Sequence, residues 1–306
     1  MSNRPTYIRL GLHAERESEM DVFTLYAGQG SLAAVRAGDE AIIVDAHMPN
    51  CEDVTQEQIE RSLDSYLAKK KVRGLILTGL DKDHACPAGV ESILSKYQPD
   101  WVMYPTYYKD TDTATEVFRI IVKHEKRREK TAYPLKRKSV RVDKVDSRLL
   151  PGLATCFTLE LFSPHMDDMD SSNNSSIVIK LTGLDRMGFS YLVTGDTETA
   201  RWETINRIFG RYISAQVLAA PHHGALSGMH AGMLLSVNPD TVLISAGVDS
   251  SYGHPHGRAI SAYQRVAQHV FATNAGPEGT CLFTRRVGNS FETQLVRHFD
   301  PVAANA

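Results

Sequence analysis

The chain has 306 residues, 42% of them hydrophobic and 23% charged, with a formal net charge of −2. That is the composition of a globular protein. No apolar stretch approaches the ~20 residues of a membrane-spanning helix, and residues 1–7 lack the apolar core of a secretory leader, so no membrane role is expected. Cys51, Cys86, Cys156 and Cys281 show no CxxC spacing. They read as reduced thiols of a cytoplasmic protein rather than a disulfide framework or a zinc ribbon.

In chain order, Val22–25 is a short apolar run followed by a Gly28-Gln29-Gly30 turn, and further runs occupy 32–35 and 41–44, ending at Asp45. Short runs rich in β-branched residues and broken by glycine predict strands in a meander. Thr55 with Gln58 forms a capping-box signature, and Ile59, Leu63 and Leu67 share one helical face. Residues 74–77 read as a fully buried strand, 88–97 as a helix, 101–104 as a strand and 113–128 as a helix leading into a basic linker. Strands are expected again at 157–162, 177–181 and 191–193, then a helix at 199–209 with Trp202, Ile205 and Phe209 in register. A last helix is expected near 258–269, and residues 301–306 read as a loose tail. Strand-rich halves with helices outside predict an α/β fold of helix–sheet–sheet–helix layers. The expected organisation is a single domain over 1–306, with an irregular basic insertion at about 105–150.

Four apolar runs are each followed by acids or imidazoles: Thr78-Gly79-Leu80-Asp81-Lys82-Asp83-His84, Thr194-Gly195-Asp196, Pro221-His222-His223-Gly224 and Tyr252-Gly253-His254-Pro255-His256. Convergence of such groups at the C-terminal ends of buried strands points to a metal or acid–base site. Extended spacing would turn Asp81 and Asp83 the same way and His84 the other, so one loop can feed two adjacent metal positions. Mixed carboxylate and imidazole ligands suit zinc, manganese or iron. Asp196 alone is equally a helix cap. Adjacent histidines between proline and glycine are poor packing residues, which makes His222 and His223 the more specific signal.

This series resembles the metallo-β-lactamase superfamily, and among its members the hydrolase domain of ComEC-type competence proteins. The matching residues are Gly28-Gln29-Gly30, Asp45, Thr78 to His84, Asn173 and Asn174 with Ser176, Thr194-Gly195-Asp196, Pro221 to Gly224 and Tyr252 to Pro255. The resemblance implies an αβ/βα four-layer sandwich, with two central mixed sheets and helices outside. It also implies one or two divalent ions, zinc or manganese, and a metal-bound hydroxide as the attacking group. By position, Asp81, Asp83, His84, Asp196 and His223 would be ligands, with Asp83, His222 and His254 in catalytic roles. The chain departs from the pattern at Gly79, where a histidine is expected, and at Asp81, where carboxylate replaces the second histidine. His165 or the Asp167 and Asp168 loop could compensate. Three readings stay open: a one-metal enzyme, an altered two-metal site favouring manganese, and a domain that has lost catalysis.

The leading function is hydrolysis of phosphodiester bonds, as a nuclease or phosphodiesterase. Residues 121–144 hold ten Lys/Arg against three Asp/Glu, and Lys126, Arg127, Arg128, Lys136, Arg137 and Lys138 would contact a phosphate-containing substrate such as nucleic acid. The plainer reading of that run is a solvated face. The alternatives are hydrolysis of a carbonyl substrate (lactone, thioester or amide) and a degenerate domain that binds nucleic acid or a protein partner.

Overall fold

In the computed structural model, residues 20–68, 70–165 and 171–298 are described. The elements run β1 (Asp21–Thr24), β2 (Ala33–Ala37), β3 (Glu40–Val44), α1 (Gln56–Leu67), β4 (Lys71–Ile76), α2 (Pro87–Lys96), β5 (Trp101–Pro105) and α3 (Asp112–Arg128). Then come β6 (Lys136–Val140), β7 (Phe157–Ser163), β8 (Val178–Gly183), β9 (Ser190–Val193), α4 (Thr199–Phe209), β10 (Val217–Ala219) and α5 (Ala231–Val237). The series closes with β11 (Thr241–Ile244), α6 (Gly257–Tyr263), β12 (His269–Ala272), β13 (Cys281–Val287) and β14 (Ser290–Val296).

Two sheets form. The eight-stranded one has the order β14-β13-β1-β2-β3-β4-β5-β6, and the six-stranded one β12-β11-β10-β9-β8-β7. Both are mixed: β1, β2 and β3 pair antiparallel while β3 to β6 are parallel, and β7 to β9 pair antiparallel while β9 to β12 are parallel.

Side-chain alternation along β3 explains the layering, since successive residues face opposite sides of a sheet. Ile42 and Val44 join the core between the sheets with Val22, Val35, Ile76, Leu181 and Val193. Ala41 and Ile43 instead join the outer core, where Ile59, Leu63, Val90, Ile93 and Val117 of α1 to α3 pack. Trp202, Ile205 and Phe209 of α4 pack with the inter-sheet core cluster. The result is the expected αβ/βα sandwich. At the start of α1 the capping box forms as read: Thr55 Oγ1 accepts from the Gln58 N–H at 3.3 Å, and Gln58 Oε1 accepts from the Thr55 N–H at 2.9 Å. Between the sheets, buried Glu40 on β3 accepts from the Thr155 and Cys156 N–H groups, both at 2.8 Å, just ahead of β7.

The structure differs from the sequence reading in three places. The basic linker contains a strand: β6 pairs parallel with β5 although Lys-Arg-Lys-Ser-Val has no apolar alternation. Its side chains mostly face water, so the pairing, not burial, makes the strand. The last helix stops at Tyr263, because residues 269–272 are taken into the second sheet beside β11. Finally, β13 and β14 form a hairpin that pairs β13 with β1. The Gly288-Asn289 turn was a readable hairpin signal. The tail at 301–306, residues 1–7 and Asp167 and Asp168 lie outside the described residues.

Candidate metal centre

Three of the four motifs, and Asp45, lie at the C-terminal ends of parallel strands, the customary ligand edge of such sheets, while Tyr252 to His256 follows β11 after an intervening loop. β3 delivers Asp45, β4 the 78–84 loop, β9 Asp196 and β10 His222 and His223. Asp45 organises the first loop. Its Oδ1 accepts from the Thr78 N–H at 2.7 Å and the Thr78 hydroxyl at 2.8 Å, and its Oδ2 faces His84 Nδ1 at 2.9 Å. With Nδ1–H donating to that carboxylate, a neutral His84 would turn its Nε2 lone pair to the centre, where Nε2 sits 2.9 Å from Asp196 Oδ1. His223 is set the same way. Nδ1 lies 2.9 Å from the Ser245 carbonyl, leaving Nε2 at 3.5 Å from both Asp83 Oδ2 and Asp196 Oδ1.

One ligand atom each from Asp83, His84, Asp196 and His223 falls within 4.8 Å of the others. His84 Nε2, Asp196 Oδ1 and His223 Nε2 are buried and face only the group itself, His84 Nε2 at 2.9 Å and His223 Nε2 at 3.5 Å from Asp196 Oδ1, with no hydrogen-bond partner outside it. Buried polar atoms are normally satisfied, and leaving one without a partner costs about 1–3 kcal/mol. Three such atoms aimed at one another are what a divalent cation would satisfy, and the imidazole–carboxylate set suits a borderline metal. The donor set fits the ion that the sequence resemblance implies.

Electrostatics couple the four groups to one another in the metal-free chain. Burial opposes charge on His84 and His223, yet Asp196 and its neighbours outweigh it and raise both imidazoles, His84 well above the ordinary value. Burial likewise opposes charge on Asp196 and Asp83, but His84 and His223 hold both carboxyls below their usual range.

The backbone is specialised here. His222 and His223 both adopt left-handed conformations, φ 49° and 54°, as does Asp45 at φ 60°. Non-glycine residues seldom do so, and such strain concentrates at functional sites. At Gly195, φ is 50° and a Cβ would come within 2.9 Å of the Ser176 and Thr78 side chains, so glycine is required.

Not every expected residue joins the group. Asp81 is half-buried and lies outside the four-residue set. The loop is a tight turn, with the His84 and Ala85 N–H groups both donating to the Asp81 carbonyl, so the alternation of an extended chain does not apply. His222 stands at the rim, with Nδ1 3.1 Å from Ser227 Oγ and Nε2 3.8 Å from Asp196 Oδ2. His254 lies beyond it, the two rings 5.7 Å apart. Burial, with His222 and His223 nearby, lowers the His254 imidazole.

Sequence reasoning missed two residues. His47 is buried beside the centre, Nδ1 3.0 Å from the Lys82 carbonyl, and burial lowers its pKa. Glu198 lies 3.4 Å from His222 Nδ1. Asp45-Ala46-His47 repeats the strand-then-acid-and-histidine pattern of the other motifs, which was the available signal.

The basic run sits elsewhere. Arg128 Nη1 donates to the Pro99 carbonyl at 2.8 Å, and Lys136 is in register with Trp101. Both therefore lie at the start of β5, away from the strand ends that carry the centre. Arg128 is buried, its Nε also donating to the Tyr133 carbonyl, so it braces a turn rather than offering a surface cation. Arg137 is paired with Glu125 at 2.8 Å, while Lys126, Arg127 and Lys136 are exposed.

Fold and site together are similar to the αβ/βα sandwich and metal site that the sequence resemblance implies. No family model matches the chain. Over 232 residues it is 26% identical to ComE operon protein 3 of Bacillus subtilis (strain 168), a match covering 75% of this chain and 27% of that protein. The chain thus spans about a quarter of that relative's length. Among solved structures it is similar to Igni18, a metallo hydrolase from the hyperthermophilic archaeon Ignicoccus hospitalis KIN4/I, at 14% identity and a TM-score of 0.46, covering 87% of this chain and 100% of that one. It is also similar to a diphosphatase of the PhnP family, at 10% identity and a TM-score of 0.46, covering 86% and 97% of the two chains. No helix among the described residues is long and apolar enough to cross a membrane.

Proposed function

We propose that the protein is a metal-dependent hydrolase of phosphodiester bonds. The observation that carries the hydrolase reading is the convergence of three buried atoms, His84 Nε2, Asp196 Oδ1 and His223 Nε2, that have no partner outside their own group, with Asp83 beside them. A divalent cation bound there would supply Lewis acidity and lower the pKa of an attacking water.

The chain's own residues have separable tasks. Asp45 and the Ser245 carbonyl orient the two inner imidazoles, which keeps their Nε2 atoms directed at the centre. Asp83 and Asp196 supply the anionic donors. His222 and His254 line the rim, where an imidazole can donate to a phosphoryl oxygen or to the departing alkoxide. Polar groups surround this opening: His222, His254, Glu198 and Asn173. Such a rim suits a charged phosphoester better than an apolar acyl substrate. The exposed cations of α3 and β6 would engage a long polyanion only beyond the reacting bond, since they lie at the far end of β5. On this reading the nucleic-acid contacts fall to Lys126, Arg127, Lys136 and Lys138.

The test is hydrolysis of bis(p-nitrophenyl) phosphate and of single-stranded DNA with manganese or zinc supplied. Metal-dependent turnover that Asp196→Ala abolishes is the expected result. Turnover of a lactone or thioester with none of a phosphodiester would overturn the substrate class.

A further inference from the structure

We infer that Tyr133 is the stacking platform of a second binding site, for a single strand of nucleic acid, set apart from the metal centre. The class of polymer rests on the phosphodiester reading above; the site itself rests on the geometry around α3, β5 and β6.

Tyr133 lies on the turn between α3 and β6 and is 65% exposed. A lone exposed aromatic is ordinary. This one is held in place. Arg128 Nε donates to its carbonyl at 2.9 Å, its N–H donates to Thr131 Oγ1 at 3.3 Å, and Lys71 Nζ lies 5.3 Å from the ring centroid. Tyr133 also lines two cavities. One, of about 250 Å³, includes His124, Arg127 and Arg128 in its wall. The other, of about 310 Å³, includes Arg73, Lys136 and Lys138. Each is several times the roughly 30 Å³ that a water occupies in the liquid.

The charges around these cavities favour an anion. Asp100 lines the second, but Lys71 Nζ and Arg73 Nη1 both hold it at 2.7 Å. Near the first, Glu91 is taken by Lys123 at 3.1 Å and His124 at 3.0 Å. Among the described residues, no carboxylate pairs with Arg127, Lys136 or Lys138. Arg128 is only 6% exposed, and with Nη1 and Nε held by carbonyls its Nη2 has no partner. A buried guanidinium nitrogen in that state is what an anionic oxygen would satisfy.

Cations on both sides of a fixed aromatic ring match a single strand, whose base stacks on the ring while the flanking phosphates meet the charges. A duplex keeps its base faces stacked inside and cannot use the ring. The metal centre is about one strand length away, at the other end of β4 and β5, roughly 17 Å at about 3.3 Å per residue. The site therefore grips polymer beyond the reacting bond.

The experiment is fluorescence anisotropy of a labelled oligothymidylate on the full chain, with chelator present so that binding is read without turnover. The single strand should bind at least about 10-fold tighter than an abasic strand of equal length or a duplex. Tyr133→Leu should weaken binding about 10-fold, and Tyr133→Phe should retain it. Arg127→Ala and Lys136→Ala should each lower the salt slope by about 0.7, one phosphate contact of a single strand. Equal binding of the three probes, binding unaffected by Tyr133→Leu, or no binding at all overturns the inference. Metal-dependent cleavage of bis(p-nitrophenyl) phosphate without binding here leaves the proposed function standing, and binding here without cleavage does the reverse.

Discussion

At the C-terminal ends of β3, β4, β9 and β10, ionisable side chains are buried, turned by specific hydrogen bonds and left with atoms that face only one another around one point. At the start of β5, the cations of α3 and β6 are handled in the opposite way. Arg128 donates through Nη1 and Nε to the Pro99 and Tyr133 carbonyls and leaves only Nη2 unpartnered, Arg137 pairs with Glu125 and Lys123 with Glu91, and Lys126 and Lys136 are exposed. Both regions are rich in charge, yet only in the first do buried atoms of several side chains face one another around one point, a cost that a ligand would relieve. Density of charged residues is therefore a poor guide to a site; burial without a partner is a better one.

The strongest way to break this contrast is to remove a donor from the first region. Asp196→Ala should abolish metal binding and lower any phosphodiesterase turnover by roughly 10³-fold or more, an effect of the size of removing a central electrostatic group. Metal analysis and kinetics on the same preparation check it. Removing the ion itself should act on stability. At free metal about 100-fold above Kd, binding contributes about 2.7 kcal/mol.

That contribution depends on pH with a definite sign. In the metal-free chain the raised imidazoles of His84 and His223 stabilise the fold fully below the ordinary histidine value of 6.5, and the gain is lost as pH rises through the raised values. Metal binding requires neutral imidazoles and runs the other way. The difference in Tm between loaded and metal-free protein should therefore widen from about pH 6 to about pH 8. A difference that narrows over that range would show that these histidines are not ligands.

Asp45→Asn sharpens the comparison more gently. It keeps the shape but removes the charge that orients His84, and should weaken metal affinity about 10- to 100-fold with Asp83, Asp196 and His223 intact. In the second region, Arg128→Ala should cost about 1–3 kcal/mol in urea unfolding, because two carbonyls lose their donor, and should leave metal content unchanged. Lys126→Ala should change stability by less than about 0.5 kcal/mol. If nucleic acid is bound there, it should also lower the salt dependence of binding by roughly one phosphate contact.

Much of this was legible because strands and site share one signature. A buried apolar run that ends abruptly in Asp or His announces both the strand and its functional end, as at Thr78 to His84 and Pro221 to Gly224. What could not be read depended on three-dimensional pairing. β6 and β12 exist because neighbours pair with them, and β13 reaches β1 across the whole chain. Asp81 looked equivalent to Asp83 until the turn made by its own carbonyl separated them. Which of His222 and His223 faces inward depends on the Ser245 carbonyl and Ser227, which lie on different segments.

The most direct measurement is the metal content of the full chain by plasma mass spectrometry, for the wild type and for His223→Ala, after supply of manganese or zinc. Near-stoichiometric metal in the wild type that falls away in His223→Ala, with circular dichroism unchanged, is the predicted result. A wild-type chain that stays metal-free, or a variant that keeps its metal, would contradict the assignment of Asp83, His84, Asp196 and His223 as a metal centre.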